Sequence, residues 1–127
     1  MELVECSNLP GNHWHSILDI RNDNKEGFGD PSIIPTAAHH AYMFKNFPNY
    51  LICVDGDEVV GFIGHVENDI RLATKKTHQK KGVGKFMVEG FMEKFPDCFA
   101  KVKIDNEPSR KLFESCGFKK KYYILEK

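Results

Sequence analysis

Apolar and polar positions change rhythm several times along the chain, and each change predicts an element. Residues 2–6 alternate as a short strand, which Pro10-Gly11 closes. From Asn12, placed to cap a helix, Trp14, Ile17, Leu18 and Arg21 fall at helical spacing. Residues 23–35 are rich in Asn, Asp, Gly and Pro and read as a loop, long for so small a protein. Thr36 is the expected cap of a second helix reaching about Phe47, with Ala37, His40, Ala41 and Phe44 on one face. Strands follow at 50–55, 59–66 and 70–74, joined by tight turns at Asp55-Gly56-Asp57 and Asn68-Asp69. A third helix, from about 82 to 95, carries Val83, Phe86, Met87, Gly90 and Phe91 as a buried stripe before Pro96 stops it. Residues 100–104 predict a further strand. Asp105 or Asn106 caps a fourth helix, with Pro108 in its first turn, Leu112, Phe113 and Cys116 on its buried face and Gly117 at its end. Residues 119–126 form a last extended segment containing Tyr122, Tyr123, Ile124 and Leu125. The order β-α-α-β-β-β-α-β-α-β predicts an α/β (α+β) layered fold, with helices packed on a mixed, mostly antiparallel sheet.

Composition narrows the class. A chain of 127 residues is expected to form one domain and to bury roughly two-thirds of its unfolded surface without a disulfide or metal staple. Ten phenylalanines predict a core of large rings. Zero net charge gives the whole molecule no strong pull toward nucleic acid or an anionic membrane. The four cysteines are far apart in sequence and form no Cys-x-x-Cys pair. With no leader-like segment, they read as reduced thiols in a cytoplasm. No apolar run approaches the ~20 residues needed to cross a bilayer.

The candidate chemistry sits at Gln79-Lys80-Lys81-Gly82-Val83-Gly84. Two glycines one residue apart, ahead of an apolar-periodic helix, turn several backbone N–H groups toward one point. The helix N-terminus adds partial positive charge, and Lys75, Lys76, Lys80, Lys81 and Lys85 surround it. Such a turn binds phosphate or is simply a turn, and the lysines either steer a polyanion or are a solvated surface. A dinucleotide-binding fingerprint does not fit, because Met87 stands at its third glycine. A P-loop does not fit either, because Phe86 follows Gly84-Lys85 where a Ser or Thr is required. His13 with His15, and His39 with His40, lack the i, i+4 spacing of a zinc helix, so structural histidines and no metal are expected. Cys116, on an apolar helical stripe with no evident His partner, reads as an inert thiol rather than a nucleophile.

About 25 residues after the glycine turn come Asn106, Ser109 and the run Leu112-Phe113-Glu114-Ser115-Cys116-Gly117-Phe118. The two motifs at this separation resemble the GNAT family of N-acetyltransferases, most clearly from about residue 59 to 127. The resemblance implies a GNAT-like sheet with helices on both faces, splayed between the fourth and fifth strands. It implies acetyl-CoA as acyl donor, no metal, and direct attack by an amine within a ternary complex. Lys80, Lys81, Gly82, Val83, Gly84 and Lys85, together with Gln79, would hold the diphosphate of coenzyme A. The pantetheine arm would lie as an added strand along Leu72, Ala73 and Thr74. Asn106 would contact it, Ser109 or Arg110 the nucleotide end, and Phe113 would line the cofactor.

The family's usual general acid is a tyrosine where this chain has Phe113, which has no proton to give. Tyr122 and Tyr123 are substitutes, Tyr123 being taken as the candidate acid. Glu67 is the first candidate base, with Asp69 and His65 nearby, and the main-chain N–H around Leu72 the carbonyl donor. The first half of the chain sets the acceptor, expected to be the primary amine of a small molecule. Arg21-Asn22 with His40 and Tyr42 resembles, faintly, acetyltransferases of amino-sugar nucleotides. A peptide amine is the first alternative and predicts an open groove at 23–35, and a non-catalytic acyl-CoA-binding module is the second. Residues 118–127 leave room for little more than one strand, so an acceptor wall is expected to be missing or to come from a second subunit, as in a homodimer.

Overall fold

In the computed structural model, which describes residues 1–6 and 12–127, four antiparallel strands form one sheet in chain order. They are β1 (Glu2–Glu5), β2 (Tyr50–Asp55), β3 (Glu58–Val66) and β4 (Asp69–Thr74). Pro10-Gly11 lies outside the described residues. Helices α1 (Asn12–Asp23) and α2 (Thr36–Asn46) cover one face, and α3 (Val83–Lys94) and α4 (Glu107–Ser115) the other.

Strand alternation builds a core on each face. Leu51, Cys53, Ile63 and Ile70 meet Val83, Met87, Val88, Phe91 and Phe113 from α3 and α4. Tyr50, Ile52, Phe62 and Ala73 meet Trp14, Ile17, Ile20 and Met43 from α1 and α2. The α1 and α3 stripes lie where the periodicity predicts, α1 also burying Leu18 and Arg21. Gly64 has no room for a side chain, since the Tyr50 ring would lie 2.5 Å from a Cβ there.

Four expectations change in detail. The β3–β4 turn is Glu67-Asn68, with φ of 51° and 68°, and Asp69 already pairs with Val66. Two consecutive left-handed residues suit the twist of a two-residue hairpin. Thr36 is the first helical residue rather than the cap, which is Pro35 without a side-chain bond. Helix α2 buries His39 and Met43, one residue out of phase with the predicted face, and leaves Phe44 75% exposed. The helical period of this segment was legible, but its alanines gave no way to fix the phase.

The fourth difference concerns the strands at 100–104 and 119–126, neither of which forms. Only Phe99 bridges to β4: Ile70 N–H donates to its carbonyl (2.9 Å), and its N–H donates to Asn68 O (2.8 Å). Beyond it Ala100 and Val102 still pack against the α3–α4 core, while Ile104 is fully exposed. The chain therefore leaves β4 and opens the splay without making a ladder. Residues 119–126 have no described strand opposite them, and Tyr122, Tyr123 and Leu125 are 85–91% exposed. A lone extended segment that begins Lys119-Lys120-Lys121 has neither a ladder nor an apolar face to hold it.

His39 is a structural histidine. Its Nε2 lies 2.6 Å from the Trp14 carbonyl, tying α2 to α1, and that bond requires Nε2–H to donate. Burial holds its pKa below the ordinary 6.5, with the charges of His40 and His15 acting the same way. Burial also lowers His65, which packs against Phe91 and Phe95. Folded-state values below the unfolded value mean that the unfolded chain binds protons more readily. Stability from these two groups is therefore complete above about pH 6.5 and is lost as pH falls below it. Urea midpoints taken from pH 7.5 down to 5.5 should fall, and His39→Gln should flatten the slope.

Candidate active site

The edge of β4 is the backbone surface on which the site is built. Lys75 N–H donates to Val60 O (2.8 Å), and counting by twos along the register directs Ala73, Arg71 and Asp69 at β3. Leu72 and Thr74 therefore direct N–H and C=O away from the sheet, into the splay. Ile70 N–H on Phe99 and the Thr74 carbonyl, which accepts from Asn24 and Gln79 side chains, show the same alternation. Of the three edge residues expected to meet an added strand, Leu72 and Thr74 present main-chain groups to it. Ala73 is 7% exposed, and its main chain is committed to Phe62.

At the end of β4 a 3-10 turn (Lys76–His78) leads into the glycine loop. Lys80 has φ of 64° and Gly82 of 82°, and Gly82 stands as N-cap of α3 with no side-chain cap bond. The first-turn N–H groups of α3, from Val83 onward, thus face outward without an internal acceptor. A Cβ at Gly82 would meet nothing within 4 Å, so the residue is glycine for its left-handed backbone and the open space before it. Gly84 has a different reason: a Cβ there would lie 3.0 Å from Leu112, so its absence lets α4 close on α3. Lys80, Lys81 and Lys85 are exposed, and no carboxylate pairs with them among the described residues. Lys75 is instead paired with Glu58 at 2.5 Å.

Across the splay, Asn106 caps α4, its Oδ1 accepting from Ser109 N–H at 3.3 Å. Its Nδ2 faces Gly27, beside an open cleft of about 310 Å³ lined by Glu26, Gly27, Lys103, Asp105, Asn106 and Pro108. Arg110 is held between Glu114 and Glu107 of its own helix, at 2.5 and 3.3 Å. Phe113 is 5% exposed and packs edge-on to Phe118 in the core.

Helix α1 fastens the segment behind it, where the acceptor is expected, and here sequence reasoning missed the most. The buried Arg21 guanidinium donates to the carbonyls of Asp30 and Ser32 and sits 5.1 Å from the Phe28 ring centre. Asn22 clasps the main chain of Ile34 on both its groups, and Phe28 stacks on Phe62. Both side chains thus build the loop, and Arg21 is committed to it rather than offered to a substrate. A lysine cannot reproduce the planar fork. Arg21→Lys should raise KM for the amine about tenfold while KM for acetyl-CoA moves by less than about twofold, as read by steady-state thiol release. Nearby, Tyr42 and Tyr50 share a 2.5 Å hydroxyl contact, and burial raises both of their pKa values.

The expected catalytic groups are dispersed. Glu67 is exposed at the β3–β4 turn, and no cation pairs with it among the described residues. Asp69, at the mouth of the splay, lies 3.5 Å from both Arg71 and Lys101. Tyr123 is 85% exposed on the C-terminal segment, and Leu72 lies on β4 with its main-chain N–H directed out of the β3–β4 ladder. No group of three or more His, Cys, Asp or Glu residues suited to a metal occurs among the described residues. No described helix is long and apolar enough to cross a membrane.

A splayed sheet edge runs into an uncapped, glycine-led helix N-terminus, an arrangement with main-chain groups and open space for an extended chain ending in a diphosphate. Comparison with known proteins gives the family. Residues 14–118 match the model of the acetyltransferase (GNAT) family, and the chain belongs to that family. Family membership makes it an acetyl-transferring enzyme with acetyl-CoA as acyl donor. No curated protein matches the sequence. Similar solved structures include the ribosomal-protein-alanine N-acetyltransferase of Brucella melitensis, with TM-score 0.82 and 14% identity over 94% of this chain and 85% of that one. The aminoglycoside N-acetyltransferase AAC(6')-Iy, solved with CoA, has TM-score 0.76 and 13% identity over 99% and 92% of the two chains. The acetyltransferase yncA of Salmonella typhimurium, solved with acetyl-CoA, has TM-score 0.74 and 17% identity over 93% and 79%. At these identities the likeness speaks for the fold alone.

Proposed function

We propose that this protein transfers an acetyl group from acetyl-CoA to the primary amine of a small molecule. The observation that carries the reading is the β4 edge, where Leu72 directs its N–H and C=O outward with no strand opposite them, ahead of the uncapped N-terminus of α3. The residues fit the donor: Gly82 leaves space before the first-turn N–H groups, and Lys80, Lys81 and Lys85 are free to neutralise phosphates. Asn106 caps α4 through its Oδ1 and keeps its amide N–H groups for the cofactor, with Ser109 in the capped turn. Gln79 holds the loop's entry, while Arg110, already paired, and buried Phe113 serve the donor site by shaping α4.

Acetyl-CoA supplies an acetyl group activated as a thioester. Leu72 N–H donates toward the carbonyl oxygen, where negative charge grows as the amine nitrogen bonds to the carbon and the carbon–sulfur bond breaks. Glu67 is the proposed proton acceptor, being the carboxylate at this end of β4 that no cation holds. It lies in the turn that precedes β4, outside the strand that carries Leu72, so the ammonium proton reaches it through water. Phe113, at the position of the family's usual tyrosine, has no proton to return to sulfur. A thiol of ordinary pKa, about 8.5, is a fair leaving group without one.

A small acceptor is supported by the way residues 24–34 are fastened. Arg21 and Asn22 hold the loop from α1, Asn24 ties it to Thr74, and Lys103 donates to Glu26 O at 2.8 Å from across the splay. A peptide substrate would have to enter through the open cleft of about 310 Å³ beside Glu26 and Gly27. The test is thiol release from acetyl-CoA over a panel of amino sugars, aminoglycosides, polyamines and lysine peptides. Turnover with small amines and not with peptides is expected. Turnover with peptides alone would replace the small acceptor. CoA binding without turnover on any amine would leave a binding module.

A further inference from the structure

We propose that Asn24 and Gln79 form a link through which occupation of the donor cleft fixes the acceptor loop, a proposal that rests on reading residues 79–85 as the diphosphate site. Asn24 is saturated by three different pieces of the fold. Its Nδ2 donates to Ile20 O at the end of α1 (2.8 Å) and to Thr74 O at the end of β4 (3.2 Å). Its Oδ1 accepts from Gln79 Nε2 at 2.9 Å, and the same Nε2 lies 3.2 Å from Thr74 O. Gln79 is the first residue of the glycine loop, 55 positions along the chain from Asn24. The 3-10 turn at Lys25–Gly27 is built directly on Asn24, whose carbonyl accepts from Gly27 N–H at 3.0 Å.

The link sits where a ligand can tip it. Gln79 is exposed, and holding a long exposed side chain in one rotamer offsets much of what its hydrogen bonds contribute. The loop behind it carries two left-handed residues, Lys80 and Gly82, and no side-chain cap. An anion drawing in the N–H groups of residues 82–85 fixes that main chain. Fixing the loop holds the Gln79 amide on Asn24, and with it the start of the loop that Arg21 and Asn22 continue. Asn24 and Gln79 are positioning residues in this scheme. The coupling is reciprocal, so breaking the Asn24–Gln79 link must also weaken CoA.

Hydrogen exchange read by mass spectrometry tests this with CoA as the probe, at saturation for each variant. In the wild type CoA should slow exchange about tenfold in peptides spanning 79–86 and also in those spanning 25–34. In Asn24→Ala the first protection should persist and the second should vanish, with β3 amides unchanged as the check on folding. Gln79→Leu, which keeps bulk and leaves Asn24 bonded to Ile20, should give the same result and stands in if Asn24→Ala fails to fold. Protection of 25–34 that survives in these variants, or that never appears in the wild type while 79–86 is protected, overturns the link. Absence of protection at 79–86 in the wild type overturns the diphosphate site beneath it.

Discussion

Gly82→Trp is expected to lower CoA affinity at least a hundredfold, about 3 kcal/mol, while the protein stays folded. The two effects separate because of where Gly82 points. Its φ of 82° makes any side chain strained, at a cost of about 1–2 kcal/mol. No protein atom lies within 4 Å of the added Cβ, so the indole displaces nothing internal. It fills instead the space in front of the α3 N-terminus, where a diphosphate must come within hydrogen-bonding distance of main-chain N–H groups. Gly82→Ala isolates the backbone strain and should retain most of the affinity. Calorimetric titration with CoA, alongside urea denaturation of both variants, reads the two quantities independently. Undiminished affinity in Gly82→Trp would place the diphosphate elsewhere.

The second large effect concerns a single hydrogen atom. Leu72→Pro removes an N–H that the β3–β4 ladder does not use, since Leu72 faces outward between the paired residues Arg71 and Ala73. Proline is tolerated at such an edge position, and Arg71 before it is already extended. The fold should therefore survive with some loss of stability, while kcat falls by about 10²–10³, the usual cost of one missing donor to a developing oxyanion. Ala73→Pro is the control. It deletes an N–H paired with Phe62 and blocks a buried position, so it should destabilise by about 3 kcal/mol or more. A Leu72→Pro enzyme within about threefold of wild-type kcat would remove Leu72 from the chemistry.

What could be read in advance follows from which features are local. The α1 and α3 stripes, the glycine loop, the Asn106 cap and the Gly117 stop each depend on a few neighbouring residues. Gly117 shows this well: with φ of 90° it ends α4, and Phe118 N–H closes back on Phe113 O at 3.0 Å. Residues 100–104 and 119–126 carry the composition of strands, but a strand exists only with a partner. Whether β4 accepts one beyond Phe99 is decided by the splay rather than by the segment itself. The roles of Arg21, Asn22 and Asn24 were hidden for the same reason. Apart from the Asn24 bonds to Ile20 and Gln79, their partners across the fold are main-chain groups 9 to 50 residues away, and carbonyls leave no trace in sequence. Phe113 could be seen to lack an acidic proton, yet its burial in the core became clear only from its packing on Phe118.

The sheet also acts as a partition wall. On the function proposed above, one core carries the helices that greet the nucleotide carrier, and the other carries those that frame the recipient. Among the described residues the two compartments meet at a seam at the end of β4, and again where Lys103 donates to Glu26 O. Exchange of the 25–34 segment for one of different length or charge therefore alters which recipient is chosen without disturbing the grip on the carrier, provided the asparagine at the seam is retained. An architecture divided in this way lets a lineage explore new recipients by editing ten residues.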